Sequence, residues 1–243
     1  IFHVSDLTIK MLGKYLCFAM LALALDLLWG YTGILSLGHA VFFAFGAYCM
    51  GIHLLHNIIL EGGNVSDITV LSMMDWQQMP WFWAGFQSFA YTCFMILFVP
   101  GIFAYLFGYL AFRSQVRGVY FSIITQAMTF ALFLLFQQNN VGLGGTNGLT
   151  GFKTILGFPL ESSASVMGLY ICSVLALLFS YLILRFVITS RLGRILSSIR
   201  DAEARAVFSG YNPLDYKLFA WVLSALICGV AGALFVTQVL IIN

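Results

Sequence analysis

SRLGRILSSIRDAEARAVFSGYNPLDYK, residues 190–217, carries eight charged side chains, although all 243 residues hold only 11 Lys and Arg and 9 Asp and Glu. The rest of the chain is correspondingly apolar, so that 61% of all residues are hydrophobic and 8% are charged. This composition is typical of an integral membrane protein. We therefore expect residues 190–217 to lie in water, between segments that lie in lipid.

Apolar runs on both sides of this segment are long enough to cross a bilayer. A helix of about 20 apolar residues spans a hydrocarbon layer of about 30 Å. The sequence therefore predicts an all-α, polytopic transmembrane helical bundle with about six spans, and residues 1–243 form a single transmembrane domain. The predicted spans cover residues 11–29, 34–55, 82–112, 118–137, 165–188 and 218–239.

The distribution of Lys and Arg predicts the orientation of the bundle, because cytoplasmic loops carry the excess of positive charge. If residues 190–217 lie in the cytoplasm and the spans alternate, eight Lys and Arg lie inside and three lie outside. The opposite orientation would reverse this ratio. Both ends of the chain are then expected outside. The inner residues are Arg113, Arg117, Arg185, Arg191, Arg194, Arg200, Arg205 and Lys217.

Residues 190–216 have the pattern of a short amphipathic helix on the cytoplasmic face. Apolar side chains recur at helical spacing from residue 192 to residue 207, and most charged side chains fall elsewhere around the axis. Gly210 is placed to end the helix, and Pro213 does not readily continue it. Charge alone leaves two interpretations open, a solvated connection that anchors the topology or a helix that docks a partner.

Three stretches resemble the permease subunits of ABC importers of the branched-chain amino acid type. GYTGILSLGHAVFFAFGAY (30–48) resembles the early signature of that family. RGVYFSIITQAMTFALFLLFQQNNVGLGGTNGLTGF (117–152) and RDAEARAVFSGYNPLDYKLFAW (200–221) resemble its urea-transporting branch. The resemblance runs from about residue 7 to the end of the chain. Family members carry further spans on both sides of this region, so the resemblance implies a permease domain that is incomplete at both ends.

The resemblance also implies partners and a role for residues 190–216. In the family this loop is a coupling helix that docks into the ATP-binding subunit, and the matching residues are Arg200, Asp201, Glu203 and Gly210. The implied assembly contains a second permease subunit, two ATP-binding subunits and an extracytoplasmic solute-binding protein, in a bacterial cytoplasmic (inner) membrane. The chain would then be a transport subunit rather than an enzyme, with ATP hydrolysed in the partner chains.

Span four carries a polar stripe that is a candidate substrate pathway. The stripe consists of Ser122, Thr125, Gln126 and Thr129, at positions i, i+3, i+4 and i+7 of a helix. Because such side chains are unfavourable against lipid, the stripe faces either other helices or a water-filled path. Neutral amide and hydroxyl groups match urea, which has one acceptor and four N–H donors. We therefore expect a urea importer; the alternatives are an importer of a branched-chain or other amino acid, and a passive channel.

Glycines between residues 30 and 46 mark the start of span two. They permit either a close helix approach or a broken helix whose backbone lines a cavity. Ser36 and His39 lie in this region. His39 is either hydrogen-bonded inside the bundle or part of the pathway, and both residues are candidate pathway residues.

Other functional motifs are not expected. The phosphate-binding pattern GxxxxGK[ST] is absent. GLGGTNG (142–148) follows a membrane helix rather than a strand, which favours a flexible outer loop over a phosphate loop. His53 and His56 are one helical turn apart, but no third metal ligand lies nearby in the sequence. We therefore expect no catalytic residue, no cofactor and no metal site.

Overall fold

A computed structural model describes residues 5–60, 80–116, 118–138, 141–160 and 162–242. Arg117, for which the sequence predicts a cytoplasmic position, is not among the described residues. The described chain contains seven α-helices, and all but one are long and apolar enough to cross a membrane. The prediction of an all-α polytopic bundle with six spans is therefore confirmed. The helices are α1 (Asp6–Asp26), α2 (His39–Leu60), α3 (Phe89–Arg113), α4 (Val119–Phe136), α5 (Ser163–Thr189), α6 (Arg191–Phe208) and α7 (Pro213–Val239).

The predicted orientation defines an inner, cytoplasmic end and an outer end of the bundle. The inner end is the one that carries α6, and the outer end is opposite. With this convention α1, α3 and α5 run from the outer to the inner end, and α2, α4 and α7 run back.

Between α1 and α2 the chain is irregular. α1 continues as a π-helical turn, Leu27–Thr32, and stops where Gly33 adopts a left-handed conformation with a φ of 70°. The backbone N–H of Gly38 donates to the hydroxyl of Ser36 at 3.2 Å, which holds the chain in a turn just before α2. The sequence-predicted second span therefore begins more than one helical turn too early. We call residues 27–38 the α1–α2 connection.

The third span is shorter than predicted. A 3-10 helix, Trp81–Gln87, precedes α3, and Ser88 between them has an extended backbone with a φ of −87° and a ψ of 127°. The 3-10 helix packs against α2 and α3 and buries Trp83 and Phe86. These apolar residues therefore belong to a separate short helix rather than to the span.

The core of the bundle is formed by α7 and α2, and α1 and α3 also pack on α7. Small residues allow this contact, because a Cβ at Gly46 would lie 1.8 Å from the carbonyl oxygen of Gly229. Gly229 belongs with Ala225 and Ala233 to a buried face of small residues at four-residue intervals. The sequence pattern indicates close packing of this face against another helix, and the structure confirms it. α4 and α5 lie further out and expose most of their apolar side chains.

The outer end is covered by the chain between α4 and α5. The described residues at this end form four short strands, β1 (Leu149–Thr150), β2 (Thr154–Ile155), β3 (Phe158–Pro159) and β4 (Ile241–Ile242). β1 pairs with β4 and β2 pairs with β3, both antiparallel, and Leu149 is fully buried. Residues 142–148, for which the sequence predicts a flexible outer loop, therefore belong to this folded cap. They include a short 3-10 helix, entered through Gly144 with a φ of 90°.

α6 is the predicted amphipathic helix, but it is kinked. Its regular geometry is interrupted at Ala202, where φ is −157° and ψ is 76°. Leu196 and Ile199 before the kink are buried against the bundle. Gly210 follows the helix in a left-handed conformation with a φ of 87°, and Pro213 begins α7. The predicted end of the helix is therefore confirmed.

Candidate functional site

His39 is the centre of a buried polar cluster at the inner end of the bundle. Its Nδ1 lies 2.9 Å from the hydroxyl of Ser36, and its Nε2 lies 2.7 Å from the hydroxyl of Ser224 on α7. Ser224 donates its own proton to the carbonyl oxygen of Ala24 in α1, at 2.8 Å. All three polar side chains are buried. One series of hydrogen bonds therefore joins α1, α7, the start of α2 and the α1–α2 connection.

The directions of these hydrogen bonds follow from the donors and acceptors. Because Ser224 uses its proton for Ala24, it accepts a proton from Nε2 of His39, and Nδ1 of a neutral imidazole is then an acceptor. The hydroxyl oxygen of Ser36 accepts a hydrogen bond from the backbone N–H of Gly38, so the hydroxyl proton is available to donate to Nδ1 of His39. The protein itself thus satisfies both ring nitrogens of His39. This arrangement matches the interpretation in which His39 is hydrogen-bonded inside the bundle.

Two of the four residues in the polar stripe of α4 bind the α1–α2 connection. Ser122 donates to the carbonyl oxygen of Leu35 at 2.7 Å, and Thr125 accepts from the backbone N–H of Leu37 at 3.1 Å. Both side chains are buried. Their hydroxyl groups hold the chain before α2 in place, which is a packing role.

The other two residues of the stripe, Gln126 and Thr129, are less buried than Ser122 and Thr125. Gln126 is exposed on the surface of the helix, and Thr129 is half-buried. Thr129 donates to the carbonyl oxygen of Thr125 at 3.0 Å, one turn earlier in the same helix. The structure therefore divides the stripe into a buried pair that supports the α1–α2 connection, a half-buried Thr129 and an exposed Gln126.

A cavity of about 650 Å³ lies between α2, the outer half of α4 and the outer end of α7. Thr129 lines it, whereas the other candidate pathway residues, Ser36, His39, Ser122, Thr125 and Gln126, are not part of its wall. Most of the wall is apolar, and no Asp, Glu, Lys, Arg or His among the described residues lines it. Its polar side chains are those of Tyr48, Thr129, Gln137 and Thr146.

Sequence reasoning missed three of these four polar residues. Gln137 follows Thr129 after two further turns of α4, so extending the polar stripe along the helix could have found it. Tyr48 lies in span two and Thr146 in the outer cap, and both are brought to the cavity by tertiary packing. No spacing rule within one helix connects these two residues to α4.

On the inner face, Arg200 is held by a carboxylate and by a backbone carbonyl. Its Nε donates to Oδ1 of Asp201 at 2.8 Å, and its Nη1 donates to the carbonyl oxygen of Gly30 in the π-helical turn. The hydrogen bond from Arg200 lowers the pKa of Asp201, and the same bond raises the pKa of Arg200. Both groups are therefore charged at neutral pH, and the guanidinium links α6 to α1.

Glu203 faces the start of α7. Nζ of Lys217 donates to Oε1 of Glu203 at 2.9 Å, and the two side chains are only 15% and 26% exposed, respectively. A residue at the rim of a docking surface would instead point into solvent. The docking role predicted for Glu203 stays a prediction, and the structure gives this side chain a partner within the chain.

The most exposed part of the α6 region follows the kink. Phe208 is 91% exposed, and Val207 and Tyr211 are also exposed. A shallow groove of about 350 Å³ lies beside Tyr211 and is bordered by Asp201 and Arg205. Sequence reasoning missed Phe208, although a large apolar residue at the end of a cytoplasmic amphipathic helix is a recognisable sign of a contact surface.

Six apolar helices, with a kinked polar helix at one end, define a multi-pass membrane protein. A family model described as branched-chain amino acid transport system / permease component matches residues 7–243. The chain belongs to this family, which consists of transport permeases rather than enzymes, and it is a multi-pass inner-membrane protein.

Two curated relatives are similar over 98% of this chain. The high-affinity branched-chain amino acid transport system permease protein LivM of Escherichia coli (strain K12) is 25% identical over 263 residues. The protein of the same name from Salmonella typhimurium (strain LT2) is 24% identical over 260 residues. The chain spans about half the length of these relatives, 54% of each. No solved structure matches the chain significantly.

Proposed function

We propose that this chain is a permease subunit of an ABC importer and forms part of the translocation pathway for urea. ATP would be hydrolysed in partner subunits. Membership of the permease family supports the importer class. The resemblance of residues 117–152 and 200–221 to the urea-transporting branch supports urea, and so does the chemistry of the cavity beside α4.

The uncharged wall of this cavity is the observation that carries the substrate proposal. A zwitterionic amino acid has two charged groups, and each costs several kcal/mol to remove from water unless an opposite charge or several hydrogen bonds replace the water. Urea has no charged group and needs only hydrogen bonds. Tyr48, Thr129, Gln137 and Thr146 offer hydroxyl and amide groups of that kind. Gln126, exposed on the same helix, would extend this set toward a partner subunit.

The partners of the complex are proposed from the exposed surfaces. A second permease subunit would pack against α4, whose apolar surface is largely exposed and whose outer half borders the cavity. The ATP-binding subunits would dock on α6 around Phe208, near Arg200, Asp201 and Gly210. A solute-binding protein would deliver urea at the outer end, above the folded cap.

A branched-chain amino acid is the second candidate substrate. The cavity wall is mainly apolar and includes Phe133, Phe136 and Phe235, which would suit a branched aliphatic side chain. The two curated relatives are named as permeases for branched-chain amino acids. In this case the charged ends of the substrate would have to be bound by groups of the partner permease subunit.

Transport assays with the complete complex test the proposal. The full-length subunit is reconstituted into liposomes with its second permease subunit, the ATP-binding subunits and the solute-binding protein, and uptake of radiolabelled urea and leucine is measured. We expect saturable urea uptake that requires ATP and stops with vanadate. ATP-dependent uptake of leucine without urea uptake would favour the second candidate. Urea flux that is independent of ATP would indicate a passive channel.

A cavity-filling variant links this uptake to the site. Ala44 lines the cavity, and Ala44→Phe would occupy part of its volume. Ala22 is exposed on α1 and does not line the cavity, and Ala22→Phe is the matched control. We expect Ala44→Phe to lower urea uptake at normal folded yield, and Ala22→Phe to behave like the parent. Equal uptake by both variants would contradict passage through this cavity.

A further inference from the structure

A residue of α6 donates a hydrogen bond to a backbone carbonyl oxygen in the π-helical turn of α1. The last carbonyl groups of a helix have no partner within it, and the turn Leu27–Thr32 ends where Gly33 reverses the backbone. Arg200 donates to one of these carbonyl oxygens, that of Gly30, across 170 positions of sequence. A cation at the negative end of a helix is also electrostatically favourable. Arg200 therefore completes the end of α1.

The Arg200 side chain is fixed on both sides of this contact. Asp201 holds the guanidinium at 2.8 Å, so that its direction is set within α6. The aliphatic part lies against Gly33, because a Cβ at Gly33 would be 2.9 Å from Cγ of Arg200. The absence of a side chain at Gly33 gives Arg200 the space it needs to reach α1.

The rest of the α1–α2 connection is held by other helices. Leu35 and Leu37 in its second half are hydrogen-bonded to Ser122 and Thr125 of α4. Ser36 is hydrogen-bonded to His39, which in turn is hydrogen-bonded to Ser224 of α7. Among the described residues, the hydrogen bond from Arg200 attaches the connection to α6, and several hydrogen bonds attach it to the helices around the cavity. Any displacement of α6 that Arg200 follows would pull on the chain just before α2.

Two features leave room for such a displacement. A cavity of about 160 Å³ lies between α6 and the α1–α2 connection, bordered by Thr32, Gly33 and Arg200. The kink at Ala202 divides α6 directly after the Arg200–Asp201 pair. The kink thus separates the part of the helix that carries Arg200 from the part that carries Phe208.

We propose that Arg200 is the positioning residue through which α6 sets the α1–α2 connection, and so transmits the state of the bound ATP-binding subunits to the helices that line the cavity. This inference rests on the proposed function. It assigns Arg200 to contact with α1 within this chain, rather than to direct contact with the ATP-binding subunit.

The test measures movement of the connection in the complete complex. A single Cys replaces Leu37, which is exposed, in a background without the native Cys residues. Its reaction with an impermeant maleimide is followed in inverted vesicles, with and without ATP and vanadate. We expect ATP to change the rate of labelling in the parent. In Arg200→Ala this change should vanish, and urea uptake should fall on the order of tenfold. The ATP-binding subunits should still co-purify and hydrolyse ATP.

Two further variants separate positioning from general charge effects. Arg194 is exposed on the same helix, and Arg194→Ala should behave like the parent. Arg200→Lys retains the charge but loses the planar guanidinium, whose separate N–H groups bind Asp201 and Gly30 at the same time. This variant should therefore keep only part of the ATP-dependent change in labelling rate that the parent shows.

Three other results would contradict either the positioning role of Arg200 or the proposed function. An unchanged response to ATP in Arg200→Ala would overturn the positioning role. Loss of the ATP-binding subunits from Arg200→Ala alone would also overturn it, because Arg200 would then be a docking residue. If the parent complex itself failed to retain ATP-binding subunits, the proposed function would fail, and this inference with it.

Discussion

The hydroxyl of Ser224 lies 2.7 Å from Nε2 of His39, although the two residues are separated by 185 positions in the sequence. Ser224 lies on the central helix α7, and His39 is the first residue of α2. Since Ser224 also donates to α1, this pair joins three helices at the inner end of the bundle. Its loss should therefore affect the stability of the bundle more than the chemistry of the pathway.

Ser224→Ala should destabilise the protein. The change removes the acceptor for Nε2 of His39 and leaves a buried N–H without a partner, which typically costs about 1–3 kcal/mol. The thermal unfolding temperature of the purified complex in detergent is the measurement. Ser209→Ala is the matched control, because the Ser209 hydroxyl is exposed and bonds only to the carbonyl oxygen of Arg205 in its own helix. Equal unfolding temperatures for the two variants would contradict the structural role of the pair.

Gln126→Leu should lower urea uptake without lowering the folded yield. The side chain is exposed in this chain, so its replacement should leave the fold intact, but it deprives a passing solute of a donor and an acceptor. The hydrogen bonding lost to the solute is worth about 1–3 kcal/mol. Uptake is measured in proteoliposomes that contain equal amounts of complex.

The neighbouring residue provides the comparison. Thr125→Val keeps the shape of the side chain but removes the acceptor for the Leu37 amide, so its main effect should be a lower folded yield. If Gln126→Leu reduced the yield and left uptake per complex unchanged, Gln126 would be a packing residue against a partner subunit.

The six spans could be predicted from the sequence because lipid imposes a length and a composition on every helix that crosses it. The irregular α1–α2 connection could not be predicted in the same way. Residues 34–38 are as apolar as a helix, and their conformation is decided by hydrogen bonds to Ser122 and Thr125 on another helix. A property that depends on a distant partner leaves no local pattern.

The candidate pathway was only partly predictable, for a related reason. Spacing on α4 places Ser122, Thr125, Gln126 and Thr129 near one another, but the rotation of the helix against α2 decides which of them face the bundle. Tyr48 and Thr146 reach the cavity from other parts of the chain. The end of α6 at Gly210, in contrast, is local backbone chemistry, and it was predicted correctly.

Gly46→Ala should prevent the close contact of α2 with α7. The added Cβ would lie 1.8 Å from the carbonyl oxygen of Gly229, and a backbone atom cannot move aside as a flexible side chain can. Overpacking of this kind costs about 1–3 kcal/mol, or more where backbone is displaced. Gly168→Ala is the control, because nothing lies within 4 Å of a Cβ at that position of α5. Fluorescence-detected size-exclusion chromatography should show folded Gly168→Ala and little folded Gly46→Ala.

The orientation of the bundle can be tested at two exposed aromatic residues. Phe208 follows the kink of α6 and is 91% exposed, and Trp81 begins the 3-10 helix at the outer end and is 88% exposed. With the native Cys residues replaced, Phe208→Cys should react with an impermeant reagent only in inverted vesicles. Trp81→Cys should react only in intact cells. The reverse result would place α6 outside and remove the basis for docking ATP-binding subunits there.

Exchange of the charges at Glu203 and Lys217 should distinguish an internal ion pair from a docking contact. Glu203→Arg alone places two cations beside each other in a half-buried site, so stability should fall by roughly 1–3 kcal/mol. Adding Lys217→Glu restores opposite charges and should recover most of the folded yield. If the double variant also recovers urea uptake and retains its ATP-binding subunits, Glu203 acts through Lys217. If it folds but loses those subunits, the negative charge at 203 is recognised by the partner.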